Sequence, residues 1–164
     1  MAEITIEELT QIADDFLRMN YGMELAIPIV RNSRLRTTQG RYISTWEDKP
    51  IRIEIASFVI KYGARTTVID TLLHECVHYA LNVLGEPNDD GHPHFEAELK
   101  RHGVSSTETN IVGPHVLYSC SNCGRQSIER GRRLLTVFPF RVTLCCHAKI
   151  KIVSVRNYDG TEAV

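Results

Sequence analysis

The sequence lacks the features that would assign it to a membrane or secreted class. None of its apolar runs approaches the ~20 residues that cross a bilayer. Residues 1–8 are acidic and lack the basic start and apolar core of a signal peptide. We therefore expect a cytoplasmic protein with no membrane partner. In that compartment its five cysteines are expected to be thiols or metal ligands, not disulfides.

The chain also has almost no net charge, −1 over 164 residues, but the charge is unevenly placed. Residues 1–117 carry 11 basic and 17 acidic side chains, whereas residues 118–156 carry eight basic side chains and one acidic side chain. A chain of this length can bury a core. We predict two domains, residues 1–114 and a basic module at 115–164 that can meet phosphate.

The most informative pattern is His74-Glu75-Cys76-Val77-His78, which has the form His-Glu-x-x-His. Residues four apart share one face of a helix, so both imidazoles can hold one metal ion. Glu75 lies about 100° further round the helix, where it can take a proton from water that the metal has acidified to a pKa of roughly 7. The pattern predicts a catalytic zinc with His74 and His78 as ligands and Glu75 as the catalytic base.

The segment around this motif, residues 67–84, is strongly apolar with helical spacing. Thr67 and Asp70 have the spacing of a capping box, and Gly85 predicts the end of the helix. The motif therefore falls within a helix, as such a zinc site requires. In the alternative interpretation the histidines are ordinary core or surface groups, but burying polar side chains without partners is costly.

Further patterns predict the scaffold. Residues 6–21 have the apolar spacing of an amphipathic helix, and residues 51–55 alternate as a half-buried strand does. Residues 27–30 predict another strand, in which Pro28 favours an edge position, and Gly40 is a candidate hairpin or bulge residue. We predict an α+β fold in which zincin-like helices pack on a small, mostly antiparallel sheet.

A catalytic zinc takes three protein ligands and keeps one position open. The loop after the motif helix offers His92 and His94 just before a helix predicted at residues 93–102. His92 lies three residues before Phe95 and would share its side of that helix, so His92 is preferred as the third ligand. His94 is the alternative, and Glu98 is the third choice.

A second candidate metal site lies in the basic module. Cys120-x-x-Cys123 followed by Gly124 has the form of a zinc knuckle. The partner half carries the adjacent residues Cys145 and Cys146. We predict a zinc-ribbon-like β module with a second, structural zinc on these four cysteines. The alternatives are a ribbon without metal and a reducible Cys145/Cys146 pair.

Arginines between the two cysteine pairs suggest an interface for phosphate. Such residues on a ribbon favour non-specific binding of DNA or RNA. The residues predicted to contact nucleic acid are Arg125, Arg130, Arg132 and Arg133. In the alternative interpretation they form a solvated basic face over a module whose core is Phe138 and Phe140.

Together these motifs resemble the SprT-like family, which includes the DNA–protein crosslink protease Spartan. The resemblance covers most of the chain and is carried by residues 34–40, 50–55, 71–80, 91–95 and 99–103. In the family, the ligand histidine stands four or five residues before the phenylalanine that corresponds to Phe95. The family's second cysteine knuckle is degenerate here, with Cys146 in the last ligand place and Thr143 in the missing one, for which Cys145 or His147 can substitute.

The resemblance implies a metal-dependent peptidase with an open cleft and a protein or peptide substrate. We therefore expect a zinc metallopeptidase that acts on DNA-associated proteins. The alternative is a non-catalytic zinc-binding module that binds nucleic acid through the basic C-terminal ribbon.

Overall fold

The computed structural model describes residues 3–105, 112–130, 133–137, 140–157 and 162. The chain divides into two compact units, Met1–Asn110 and Ile111–Val164. The first contains α1 (Ile6–Tyr21), β1 (Ile29–Asn32), β2 (Gly40–Ser44), β3 (Pro50–Ala56), α2 (Ser57–Tyr62), α3 (Arg65–Leu84) and α4 (Pro93–Arg101). The second contains β4 (His115–Cys120), β5 (Gln126–Arg130), α5 (Arg133–Val137) and β6 (Ile150–Arg156). The predicted α+β class is confirmed, and the predicted domain boundary at 114/115 stays a prediction.

The sheet of the first unit has the strand order β1-β3-β2. β2 pairs with β3 in the expected antiparallel sense, with Gly40 opposite Ile55. β1 instead runs parallel to β3, on the edge of β3 opposite β2. Pro28 immediately precedes β1, and its carbonyl oxygen accepts the Ile53 N–H at 3.0 Å. The edge position that Pro28 favoured is thus the observed one.

Helix α1 has the predicted limits and the predicted apolar face. Thr5 caps it by accepting the Glu8 N–H at 3.2 Å. Leu9, Ala13 and Leu17 are fully buried on the side that packs against α3. These three residues recur every four positions, and this helical spacing is what allows the helix to be predicted from the sequence. None of the described helices has the length and apolar character needed to cross a membrane.

Helix α3, which carries the residues from His74 to His78, begins earlier than predicted. It starts at Arg65, and no side chain caps it, so the predicted capping box of Thr67 and Asp70 is wrong. The Asp70 carboxylate is used elsewhere, where it accepts the Ser105 N–H at 3.0 Å. The predicted end is confirmed, because Gly85 adopts a left-handed φ of 71° and its N–H bonds back into the last turn.

The second unit is a three-stranded antiparallel sheet in the order β5-β4-β6. Its buried core is formed by Val116, Leu134 and Ile150. Phe140 is 90% exposed, so it is not part of this core. Phe138 lies outside the described residues. The core is instead aliphatic and comes from two strands and the short helix α5.

Candidate functional site

Two imidazoles on one face of α3 form the centre of the site. The ring centroids of His74 and His78 lie 5.0 Å apart. Nδ1 of His74 is 3.2 Å from the Ser105 carbonyl oxygen, and Nδ1 of His78 is 2.5 Å from that of Asn88. A carbonyl oxygen only accepts hydrogen bonds, so each Nδ1 carries the proton. In the neutral form of such a ring the lone pair lies on Nε2, the state in which histidine binds a metal.

Phe95 on α4 packs against the imidazole rings of both His74 and His78. It stacks on His78 with a centroid distance of 4.1 Å and an angle of 22°. It meets His74 edge-on at 5.2 Å and 81°. Phe95 is fully buried among Val77 and Leu99 of the hydrophobic core. Core packing therefore limits the rotation of both imidazoles, as a pre-organised metal site requires.

Asp90 completes the group. Its Oδ1 lies 3.1 Å from Nε2 of His74 and 3.5 Å from Nε2 of His78. One ligand atom from each of the three residues lies within 4.8 Å of the others. Burial lowers the pKa of His78 and the nearby His74 lowers it further, while Asp90 acts in the opposite direction. Two imidazole nitrogens and a carboxylate oxygen that face a common point are a donor set that fits a metal ion.

Glu75 is a buried carboxylate beside this group. It is only 6% exposed, and the backbone N–H of Tyr42 donates a hydrogen bond to it. Burial raises the pKa of Glu75 to about 8, with the Tyr42 hydrogen bond acting against the rise and the charge of Asp90 adding to it. A carboxyl group whose pKa lies near neutrality can both accept and return a proton.

Gly40 allows strand β2 to approach the motif helix closely. A Cβ at this position would lie 2.8 Å from Cγ2 of Thr71 and 3.0 Å from Oε1 of Glu75. Only glycine leaves room for this contact. The predicted bulge lies elsewhere, between Ile43 and Ser44. Gly40 therefore serves the close packing of strand on helix, next to the carboxylate of Glu75.

Neither histidine predicted as the third ligand belongs to this group. His92 is the N-cap residue of α4, and its Nδ1 accepts the His94 N–H at 3.2 Å. Nε2 of His94 lies 2.5 Å from the Glu86 carboxylate. His92 was predicted to share the side of the helix on which Phe95 lies, which requires helical backbone at His92. As an N-cap residue it has extended backbone instead, with φ −68° and ψ 132°, so helical spacing does not apply to it. The third ligand as predicted from the sequence stays a prediction.

Asp90 has no counterpart among the residues predicted from the sequence. It stands five residues before Phe95, which is within the spacing that the family resemblance gives to the ligand histidine. That spacing would have found it, had a carboxylate been considered at the position. Glu98, the third choice of ligand from the sequence, instead accepts a hydrogen bond from the Tyr21 hydroxyl at 3.2 Å.

The second unit brings together all four cysteines predicted as its metal site. The Sγ atoms of Cys120, Cys123, Cys145 and Cys146 lie within 4.8 Å of one another. The Thr143 hydroxyl donates to Sγ of Cys120 at 3.2 Å. This bond and the backbone N–H of Cys123 lower the pKa of Cys120 to about 6. A lowered pKa favours the thiolate, which is the form of cysteine that binds a metal.

Of the two residues predicted to substitute in the degenerate knuckle, Cys145 lies beside the other three sulfur atoms. Thr143 stands in the missing ligand place and makes a hydrogen bond to a sulfur, while Cys145 adds the fourth sulfur. His147 is not a member of the cysteine group as described, and its backbone takes a left-handed φ of 50° in the turn. Four sulfur donors suit a tetrahedral metal ion.

The predicted nucleic-acid interface is described only in part. Arg125 is exposed next to the first cysteine knuckle. Arg130 ends β5 and Arg133 begins α5, and only their backbone is described. Arg132 lies outside the described residues. The interface therefore stays a prediction.

Comparison with known proteins gives one family. The model of the SprT-like family matches residues 6–115. The chain is similar to a protein named SprT-like from Staphylococcus carnosus (strain TM300), with 26% identity over 160 residues, covering 93% of this chain and 95% of the relative. A protein of the same name from Streptococcus mutans is 30% identical over 149 residues, covering 87% of this chain and 95% of the relative. The matched family segment contains the whole His74–His78–Asp90 group.

Proposed function

The chain belongs to the SprT-like family, and from this premise and the geometry above we propose that it is a zinc-dependent metallopeptidase of the zincin type. The observation that carries the proposal is the convergence of two metal-competent Nε2 atoms on one face of α3, with the buried carboxylate of Glu75 between them in the sequence. This arrangement has the residue types and the helical spacing of metal-assisted peptide hydrolysis.

A bound metal would supply Lewis acidity, which polarises a peptide carbonyl and acidifies water. His74 and His78 would hold the ion, with their tautomers set by the carbonyl oxygens of Ser105 and Asn88. Glu75 would accept the proton of the attacking water and then pass it to the amine leaving group. Burial and the hydrogen bond from the Tyr42 N–H hold this carboxylate in one orientation for both transfers.

The substrate that best suits this site is an extended segment of a protein. β2 is an edge strand of its sheet, and through Gly40 it lies directly against Glu75. An edge strand offers unpaired N–H and C=O groups to which an extended chain can add as a further strand. A peptide bound to β2 in this way would pass close to the base.

A second candidate function rests on the cysteine group of the other unit. Four clustered sulfur atoms suit a structural zinc, and the surrounding segment 118–156 is strongly basic. We propose that this module binds DNA or RNA through its arginines, which would bring the peptidase to nucleic-acid-associated proteins. If the chain has no peptidase activity, this binding is its function.

The test of the proposed peptidase is cleavage of an unfolded protein substrate by the full chain, with and without single-stranded DNA. Glu75→Gln keeps the shape of the side chain but removes the base, so cleavage should fall by about 100-fold or more. Glu47→Gln, which changes an exposed carboxylate paired with Lys49, is the matched control and should cleave as the parent does.

Removing metal with a chelator should also abolish cleavage, and added zinc should restore it. Cleavage by Glu75→Gln at the parental rate would contradict the peptidase proposal. Salt-sensitive binding of DNA by an inactive chain would instead support the second candidate, because phosphate contacts weaken as salt rises.

A further inference from the structure

We propose that Asp90 is the third protein ligand of the metal held by His74 and His78, at the place where a third histidine was expected. This inference rests on the metal-dependent function proposed above and concerns the composition of that same site. It would make the ligand set two imidazoles and one carboxylate, all within the unit that carries α3.

The Nε2 atoms of both histidines face the carboxylate of Asp90. Oδ1 of Asp90 lies 3.1 Å and 3.5 Å from the two Nε2 atoms, and both imidazoles carry their protons on the opposite nitrogen. In neutral rings of this tautomer, Nε2 has no hydrogen to donate to the carboxylate. The three atoms lie within 4.8 Å of one another, so one divalent cation can bind all of them.

The loop also holds Asp90 in place. The Asn88 carbonyl oxygen lies 2.5 Å from Nδ1 of His78, so the same loop that orients one ligand also presents the next. Gly91 then turns the chain with a left-handed φ of 78°, and its N–H donates to the Glu96 carboxylate at 3.1 Å. Asp90 is thus fixed on both sides, which is how ligand geometry is normally secured.

The two competing histidines make hydrogen bonds to other groups. The ring of His92 caps α4 through the backbone N–H of His94, at 3.2 Å. The ring of His94 pairs with Glu86 at 2.5 Å. Bringing either ring to the metal would break one of these contacts, whereas Asp90 is already within a few ångströms of both Nε2 atoms.

A carboxylate ligand has chemical consequences that a third histidine does not. It lowers the net charge of the site by one, and it is a harder donor than imidazole. The site should therefore accept Mn²⁺ and Co²⁺ more readily, relative to Zn²⁺, than a site of three histidines does. Asp90 is 54% exposed, so the group is open to solvent on this side, where a fourth ligand position is needed for substrate.

The experiment measures metal binding by the full-length protein, independently of activity. Zinc per chain is determined by elemental analysis, and affinity by competition with a chromophoric chelator. Asp90→Asn removes the charge with little change in shape, and Asp89→Asn removes the same charge one residue away. Asp90→His builds the expected set of three histidines. His92→Ala and His94→Ala test the competing ligands, and His74→Ala tests the site as a whole.

We expect Asp89→Asn, His92→Ala and His94→Ala to keep the zinc content of the parent. Asp90→Asn should lose one zinc per chain or bind it more than ~100-fold more weakly, since even outer-shell changes cost 10–100-fold. Asp90→His should bind zinc again, which would show that a loss in Asp90→Asn is not caused by misfolding. The visible spectrum of the Co²⁺ protein should differ between the parent and Asp90→His, because one oxygen ligand becomes nitrogen.

Two results would overturn the inference in distinguishable ways. If His74→Ala loses zinc but Asp90→Asn keeps parental affinity, the metal site stands and Asp90 is not its ligand. Loss of zinc in His92→Ala or His94→Ala alone would assign the ligand to that histidine. If His74→Ala itself keeps the full zinc content, the site and the proposed function both fail.

Discussion

The buried carboxylate of Glu54 gives the most quantitative prediction. Glu54 is only 2% exposed on β3 and is surrounded by three donors. Nε of Arg41 and Nε of Arg52 each lie 2.7 Å from one of its oxygens, and Nδ2 of Asn32 lies 2.6 Å away. Burial alone would raise the pKa of Glu54, but the three hydrogen bonds outweigh it and lower the pKa from 4.5 to about 2.

The shift converts to a stability that depends on pH. About 1.4 kcal/mol per pKa unit gives roughly 3 kcal/mol in favour of the folded state. Because the folded pKa is the lower one, this contribution is fully present above the unfolded pKa of 4.5 and is lost as the pH falls towards about 2. Glu54→Gln should therefore reduce the free energy of unfolding by about 3 kcal/mol at pH 7.

The assay is urea unfolding of the parent and Glu54→Gln between pH 7 and pH 2.5. The difference between the two proteins should shrink steadily below pH 4.5, since the parent side chain becomes neutral too. Glu47→Gln, which loses an exposed ion pair with Lys49, should change the free energy of unfolding by less than ~1 kcal/mol. A difference for Glu54→Gln that stays constant with pH, or that is no larger than this control, would refute the reasoning.

Three further predictions concern the two candidate metal sites. Gly40→Ala should destabilise the chain by about 1–3 kcal/mol, because the new methyl group displaces the side chain of Glu75. Peptidase activity should fall without loss of zinc. Unchanged kinetics with unchanged stability would contradict this prediction. Phe95→Ala should lower the free energy of unfolding by about 3–5 kcal/mol and weaken zinc binding at His78, which a chelator competition would detect. Cys123→Ser should release only the zinc of the cysteine group and leave peptide cleavage intact, and loss of both zincs would show that the sites are not independent.

The sequence predicted best those features that depend on neighbours in the chain. The limits of α1, its Thr5 cap and the Gly85 helix end all follow from residues within one turn, and all are present. The capping box failed for the opposite reason. Asp70 has the right spacing to Thr67, but its carboxylate binds the N–H of Ser105, a residue far along the chain. The spacing of neighbouring residues gives no information about a hydrogen-bond partner so far along the chain.

The candidate site divides in the same way. The pairing of His74 and His78 is set by helix geometry alone, so five residues of sequence were enough to predict it. The position of Asp90 depends on how a loop folds back on α3. The extended N-cap backbone of His92 means that helical spacing does not predict which way its side chain points. The parallel pairing of β1 with β3 likewise depends on contacts between distant segments, which no periodicity encodes.

The measurement that tests the central claim most directly is zinc per chain in the pure full-length protein, with His74→Ala and Cys123→Ser beside it. Cys76→Ala, which changes a buried cysteine outside the cysteine group, serves as the control. We expect two zincs per chain in the parent and the control, and one in each of the two variants. Full zinc content in His74→Ala would contradict this expectation, because the motif helix would then hold no metal.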